Sequence, residues 1–246
     1  MKKILVLNGS PKKKNSGTMV LTSSFVEGLT STGEYESELI NVSDLNIKPC
    51  LGCLGCWGRS PGVCVIKNDD LPMIKAKIEE ADIVLLSAPL FFFGLPGQTK
   101  ILMDRLLGML NTYHAQTSSD DGGSLHGFRH PRAGQKFIVI SSCAWTETDV
   151  VYESMAKQFD MIFGEGHYTS IYFPQLNAIL YHGQQRRIDN IKKNFVNAGV
   201  EFANNGKLTQ ETHAKLEKPT YSPEVYKVLV ENFWKIEEEA GKKAEN

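Results

Sequence analysis

The sequence predicts an α/β fold: a doubly wound, five-stranded parallel sheet with helices on both faces, followed by a helical C-terminal extension. Two observations carry this. Strand-like and helical segments alternate five times, several of the strands being short continuous apolar runs of the kind buried on both faces. The chain also has the bulk for it: 246 residues, 41% hydrophobic and 22% charged, an ordinary balance for one soluble domain with extensions. Right-handed crossovers then place a ligand beyond the carboxyl ends of the strands.

The elements follow in order. Residues 3–8 (KILVLN) form a buried strand, 9–17 a loop, and 18–29 a helix with Val20, Leu21, Phe25, Val26 and Leu29 at helical spacing. Residues 36–42 alternate weakly and give a second strand. Residues 83–87 (IVLLS) and 136–142 (KFIVISS) are further buried strands, and 168–173 (YTSIYF) is a fifth, rich in β-branched and aromatic residues. Helices are expected at 70–81, 98–110, 149–163 and 186–204. The polar stretch 115–133, with Gly122, Gly123 and Gly127, reads as a long loop. The expected organisation is a domain over 1–205, interrupted by a cysteine-rich insertion at 47–68, and an appended tail over 206–246 with a helix from about residue 222.

Several classes are disfavoured. A net charge of -1 carries no electrostatic footprint of a nucleic-acid binder. The N-terminal apolar run, residues 4–7, is shorter than the roughly 7–15 residues of a secretory core. The longest apolar stretch, 83–96, is broken by Ser87, Pro89 and Gly94 and falls short of the ~18 residues of a membrane span. A cytoplasmic protein without a membrane partner is expected, and a reducing compartment disfavours a disulfide framework. The six histidines are scattered, with no ligand pair at helical spacing, and no Ser/His/Asp or HExxH arrangement is present.

Three loops can carry chemistry. The first, residues 8–18, joins a buried strand to a helix N-terminus, where free N–H groups and the helix dipole attract an anion. Ser10, Ser16 and Thr18 add hydroxyls and Lys12 a charge. The glycines fit neither a Walker loop nor a GxGxxG fingerprint, and a capped helix start with solvated lysines remains the plain alternative. The second, residues 87–98, carries Phe91, Phe92 and Phe93 on a Gly/Pro-rich loop, which suits either a planar heterocycle or a neighbouring subunit. The third, residues 141–147, has small residues at a strand end and Trp145, placed to stack on a ligand or to pack in a core or dimer contact.

At these residues a resemblance becomes specific. Gly9-Ser10-Pro11-Lys12 with Ser16-Gly17-Thr18 resembles the phosphate loop of the NAD(P)H-dependent FMN reductases of flavodoxin-like fold. Pro89-Leu90-Phe91-Phe92, with Gly97-Gln98, Lys100 and Asp104-Arg105, resembles a second segment of that family. The match covers roughly residues 1–110 and departs from the family at Lys12 (usually arginine), Gly17 (asparagine) and Phe91 (tyrosine). The resemblance implies that Ser10, Lys12, Ser16, Gly17 and Thr18 hold an FMN phosphate. It also implies that Pro89, Leu90, Phe91 and Phe92 line the isoalloxazine, and that Ser142, Cys143, Ala144 and Trp145 bound its far side.

Cys50, Cys53 and Cys56 form a C-x2-C-x2-C run with Gly52 and Gly55 between, and Cys64 follows after seven intervening residues. Compact cysteines in a reducing compartment suggest metal or redox work before disulfides. The spacing resembles [4Fe–4S] ligation and the motif of the iron–sulfur flavoproteins of this superfamily. Reduced packed thiols near the flavin, a zinc site and a redox disulfide are the alternatives.

The expected function is an FMN-dependent NAD(P)H oxidoreductase, with a quinone, nitro compound, metal ion or protein as acceptor. The alternatives are a flavodoxin-like electron carrier and a cluster-bearing flavoprotein relaying electrons to a ferredoxin-type partner. Carriers are usually short and acidic, which favours the enzyme for this near-neutral chain. The aromatic loop and the tail residues Val225, Leu229, Phe233, Trp234 and Ile236 add apolar surface that predicts a homo-oligomer, and the resemblance implies a homodimer or homotetramer.

Overall fold

A computed structural model describes residues 1–112, 125–182 and 185–244. The strands are β1 (Lys2–Asn8), β2 (Tyr35–Asn41), β3 (Ile83–Pro89), β4 (Lys136–Ser142) and β5 (Thr169–Phe173). All pair in parallel in the order β2-β1-β3-β4-β5, the doubly wound order expected of a flavodoxin-like sheet. Their carboxyl ends are in register: Asn8 lies opposite Ser87, Pro89 opposite Ser142, and Ser142 opposite Phe173. The order reverses at the β1/β3 boundary, so the crevice there is where the connections diverge.

Alternation within the strands divides the core between two faces. Ile4, Val6, Ile83, Leu85, Ile138 and Ile140 face α1 (Gly17–Ser31). Leu5, Leu7 and Val84 face α2 (Leu71–Glu80) and α3 (Gly97–Arg105) on the other side. Next to these, Val139 packs under α4 (Thr148–Val151) and α5 (Glu153–Phe163). After β5 come α6 (Leu176–His182) and α7 (Gln185–Asn205), which shares the α1 face. A methyl group on Gly28 would strike the Val196 carbonyl, and one on Gly199 the Phe25 carbonyl, so these two glycines let α1 and α7 touch backbone to backbone.

The tail forms α8 (Gln210–Glu217) and α9 (Pro223–Ala244). It does more than hang from the domain: Tyr172 N–H, on the outer edge of β5, donates to Glu217 at 2.8 Å. A free sheet edge is thereby closed by a carboxylate whose own pKa is raised by burial. Helix α8 starts at Thr209, whose hydroxyl accepts from Thr212 N–H.

Four differences from expectation have physical causes. The helix expected at 98–110 ends at Arg105 and tightens into a 3-10 turn over Leu106–Met109. The helix expected at 149–163 breaks at Tyr152, which turns into the core to stack on Tyr172 at 4.2 Å and bond Ser141 at 3.0 Å. Helices α6 and α8, of seven and eight residues, are too short to show periodicity in the sequence. Of the loop expected at 115–133, residues 115–124 lie outside the described residues; Phe128 beyond them bridges to Leu110 and stacks on Phe137 at 5.2 Å.

Candidate functional site

The loops after β1, β3 and β4 come together at the carboxyl edge of the sheet. Asn8 organises the first: its amide donates to Asn41 at 3.0 Å, and its carbonyl oxygen accepts from Ser10 N–H at 3.0 Å. Gly9 is pressed against Thr99 of α3, which donates to its carbonyl at 3.2 Å, and any side chain there would collide with that hydroxyl. Lys12 and its neighbours form a 3-10 turn, and Lys13 pairs with Asp44. Ser16 stands at the N-cap of α1, buried, yet makes no side-chain capping bond. Its hydroxyl and the first-turn amides therefore face the loop without a protein cap. The Thr18 hydroxyl is 2.6 Å from that of Ser142, and the Thr22 hydroxyl donates to Ser87 at 2.7 Å. These buried pairs fix α1 against the ends of β3 and β4.

In the second loop, Leu90 N–H donates to Ser142 at 2.9 Å, carrying the strand pairing past Pro89. Phe91 and Gly94 then exchange both backbone bonds around a two-residue turn, Phe92-Phe93. Both aromatics sit at positive φ, 48° and 61°, a region that costs bulky residues roughly 1–2 kcal/mol each. Phe92 is 100% exposed. The Phe93 ring lies 6.2 Å from that of Trp145 in the third loop, so the aromatics of the two loops adjoin.

The third loop is held from below. Cys143 is buried, its thiol pKa raised by burial, and its N–H donates to Phe173 at 3.0 Å. Ala144 and Trp145 are exposed above it. Gln175, fully buried at φ 57°, is the residue that sequence reasoning missed here. Its N–H donates to the Trp145 carbonyl, and its amide donates to the Thr146 hydroxyl and the Tyr221 carbonyl. Its carbonyl oxygen accepts from Thr220 and Tyr221 N–H. One side chain thus latches the start of α9 to the Trp145 loop, and nothing in the sequence marks it.

The cysteine segment leaves β2 and closes at its neck, where Asn46 N–H donates to Asp70 and Asp70 N–H to Asn46. All four cysteines are free; Cys50 and Cys53 are exposed, Cys56 and Cys64 half-buried. The Cys56 thiol is pushed up by burial and then by Cys64, Cys50 and Cys53 nearby. Among the described residues no three His, Cys, Asp or Glu side chains are gathered to hold a metal ion. Underneath, Arg105 and Asp69 form a fully buried ion pair at 2.7 Å, and Arg105 also donates to the Lys48 carbonyl. Burial opposes the guanidinium charge, but Asp69 and the adjacent Cys64 outweigh it and raise its pKa. Arg105 Nε and Nη2 are buried with no hydrogen-bond partner. Of the residues quoted for the second family segment, Lys100 pairs with Asp104 and Arg105 serves the cysteine segment.

Comparison with known proteins gives the family and the fold. An iron-sulfur flavoprotein of Methanocaldococcus jannaschii is 35% identical over 105 residues, 42% of this chain and 51% of that protein. One from Methanosarcina thermophila is 31% identical over 143 residues, 58% of this chain and 72% of that protein. The chain spans about half the length of the curated relatives that head the comparison. Among solved structures, an NAD(P)H:quinone oxidoreductase of Methanothermobacter marburgensis shares the fold with a TM-score of 0.58 at 17% identity, over 84% of this chain and 99% of that one. The family profile described as NADPH-dependent FMN reductase matches residues 2–128, just over half of the sequence. The chain belongs to the NADPH-dependent FMN reductase family.

Proposed function

We propose that this chain binds FMN across the three strand-end loops and is an NAD(P)H-dependent oxidoreductase. The observation that carries the reading is the pairing of two features on one edge: the uncapped, hydroxyl-lined start of α1, and adjoining exposed aromatics on the β3 and β4 loops. The residues fit the cofactor. Ser10, Lys12, Ser16, Gly17 and Thr18 hold the phosphate; Pro89, Leu90, Phe91 and Phe92 line one side of the ring; Ser142, Cys143, Ala144 and Trp145 bound the other. The chemistry supplied by bound FMN is hydride acceptance from a reduced nicotinamide and release of the electrons, singly or in pairs, to an acceptor. The chain's own part is to bind, orient and shield, and no side chain need act as general base. The acceptor is a quinone, nitro compound, metal ion or protein. Among the described residues no helix is long and apolar enough to cross a membrane, and a cytoplasmic location is part of the proposal.

The test is anaerobic. NADH or NADPH is expected to bleach the flavin absorbance within a turnover time. Flavin reduced by dithionite yet inert to both nicotinamides over minutes would support an electron carrier instead.

A second reading is favoured by one observation. Two unpartnered donors of buried Arg105 lie beside Cys64, in a segment whose four thiols are free and close enough to influence one another. Hydrogen bonds to sulfur are a lever by which proteins tune iron–sulfur clusters. Cys50, Cys53, Cys56 and Cys64 would hold a [4Fe–4S] cluster, relaying electrons between FMN and a ferredoxin-type partner. The protein is further proposed to be a homodimer or homotetramer. Phe92, Trp145, Val228, Trp234 and Ile236 are all exposed on the site side or the tail, and light scattering giving a 27.4 kDa monomer would remove this part.

A further inference from the structure

The cysteine segment is clamped at both ends by one buried side chain. Arg105, the last residue of α3, donates through Nη1 to the Lys48 carbonyl at 2.5 Å and to the Asp69 carboxylate at 2.7 Å. Lys48 stands just before Cys50 and Asp69 shortly after Cys64, so the clamp joins the two ends of the segment. The backbone completes Asp69. Leu71 N–H donates to one of its oxygens at 3.3 Å, and Lys48 N–H, at 3.4 Å, to the oxygen that Arg105 also holds.

The other edge of the guanidinium is unused. Nε and Nη2 are buried without a hydrogen-bond partner, on a side chain that is 0% exposed. In a planar guanidinium these two N–H groups form a fork of parallel donors. Cys64 lies within interaction range of Arg105 and packs, half-buried, against the same core cluster as Leu102 of α3. Cys50 and Cys53, by contrast, are exposed. A neutral thiol is a weak acceptor, so the fork suits sulfur that carries negative charge, as a thiolate ligand or a sulfide does.

We propose that Arg105 is a positioning residue for the cysteine segment: its clamp sets Cys64 in place as a ligand, and its free fork donates to the Cys64 sulfur and to a sulfide beside it. This rests on the cluster reading and gives it a direction. An electron entering the centre adds negative charge to its sulfurs, so donors fixed there favour the reduced form and raise the midpoint potential. Helix α3 also ties this arrangement to the flavin loops, because Thr99, near its other end, donates to the Gly9 carbonyl at 3.2 Å.

The test uses full-length protein, reconstituted anaerobically with iron, sulfide and FMN, and reads the cluster's one-electron midpoint by electron paramagnetic resonance during a potentiometric titration. Arg105→Lys keeps the positive charge beside Asp69 but has no fork. Arg105→Met/Asp69→Asn removes the buried pair together, so no lone charge is left behind. In both, the reduced-to-oxidised ratio at a fixed potential is expected to fall about tenfold, a drop of about 59 mV for one electron. The flavin midpoint should not move, as it would if the fold had merely loosened. In wild-type protein carrying nitrogen-15 at arginine alone, the reduced cluster should show magnetic coupling to an arginine nitrogen. The coupling should persist in Arg59→Lys, since Arg59, which is exposed, is the one arginine within residues 47–68. The proposal is overturned if that coupling is absent or is lost with Arg59. It is also overturned if either loaded variant keeps the wild-type midpoint, or if the flavin midpoint moves in parallel. Where a variant cannot be loaded, the wild-type coupling decides. Wild-type protein that stays iron-free ends the cluster reading and this proposal with it, whereas a loaded protein with an unmoved midpoint ends the proposal alone.

Discussion

The strand-end loops and the cysteine segment lie at the same edge of the sheet and are built in opposite ways. In the loops the polar groups are buried and paired with one another: Asn8 with Asn41, Thr18 with Ser142, Thr22 with Ser87. That scaffold is finished before any ligand arrives, and it leaves the buried Ser16 hydroxyl without a capping bond and the aromatic rims exposed. In the cysteine segment the order is beneath the surface. The Asn46–Asp70 neck, the Arg105–Asp69 pair and Trp57, whose indole donates to the Leu107 and Leu110 carbonyls, fasten its back, while the thiols stay free and ungathered. A preorganised site pays its ordering cost in folding; a segment anchored only from behind must be organised by what it binds.

The largest effect should separate the two regions outright. Protein purified and reconstituted anaerobically is expected to contain about four irons and four acid-labile sulfides per chain. Cys53→Ser should remove both and leave FMN bound, since no FMN ligand proposed here comes from residues 47–68. Wild-type protein that stays iron-free after reconstitution would end the cluster reading and leave the flavin reading standing.

Next in size is the anchor itself. Arg105→Met leaves Asp69 buried without its partner, and breaking such a pair costs about 3–5 kcal/mol. The sign of the pH dependence sharpens this. Burial alone pushes the Asp69 carboxyl up, but Arg105 and the Leu71 and Lys48 amides overcome it and hold the pKa below its ordinary value. A carboxylate depressed in the fold contributes stability above its unfolded pKa, roughly 3.9, and loses it as pH falls through the folded value. Without Arg105, burial is opposed only by the Leu71 and Lys48 amides, so the depression should shrink and less stability should be lost on acidification. Urea midpoints between about pH 2.5 and 6 for wild type, Arg105→Met and Arg105→Met/Asp69→Asn measure it, and the double variant should recover part of the loss.

The same contrast explains what could be read in the sequence. Strands β1, β3 and β4 are visible because burial on both faces imposes unbroken apolar runs, and 136–142 is found to the residue, whereas the largely exposed β2 shows only weak alternation. The first, second and third loops are visible because their chemistry is local to a strand end. What stays hidden is non-local. Gln175 acts by bonding residues 145–146 and 220–221, which no spacing encodes. Arg105 stands in a segment quoted for the family resemblance, yet its partners, Asp69 and the Lys48 carbonyl, lie at the two ends of the cysteine segment. Helix α8 did carry a local sign, a threonine at 209 ahead of Thr212, but eight residues give periodicity too little to act on.

Within the first loop, Ser16 and Thr18 should part company. Replacing both with alanine is expected to lower FMN affinity by ~1–2 kcal/mol for each buried hydrogen bond lost. Thr18→Ala alone should also lower protein stability by about 1 kcal/mol, because it strips Ser142 of its buried partner. Ser16→Ala should leave stability nearly unchanged, since Ser16 makes no capping bond in the protein. Paired FMN titrations and thermal melts of the apoproteins test this, and unchanged FMN affinity in the double variant would remove the loop from the site.

The smallest effect concerns the tip of the aromatic turn. Phe92 holds a positive φ and exposes its whole side chain, so it contributes no burial that would offset its backbone strain. Asparagine tolerates the left-handed region far better than a bulky aromatic does. Phe92→Asn is therefore expected to stabilise the apoprotein monomer by up to about 1 kcal/mol. The flavin reading expects the opposite sign for function, with weaker FMN binding or slower reduction by nicotinamide, the exchange of stability for activity common at strained sites. Denaturant melts and flavin titrations on the one variant read both quantities. A variant that is stabilised and also binds and reduces FMN as wild type does would show that the turn's strain serves something other than the flavin, and the oligomer contact would be the first place to look.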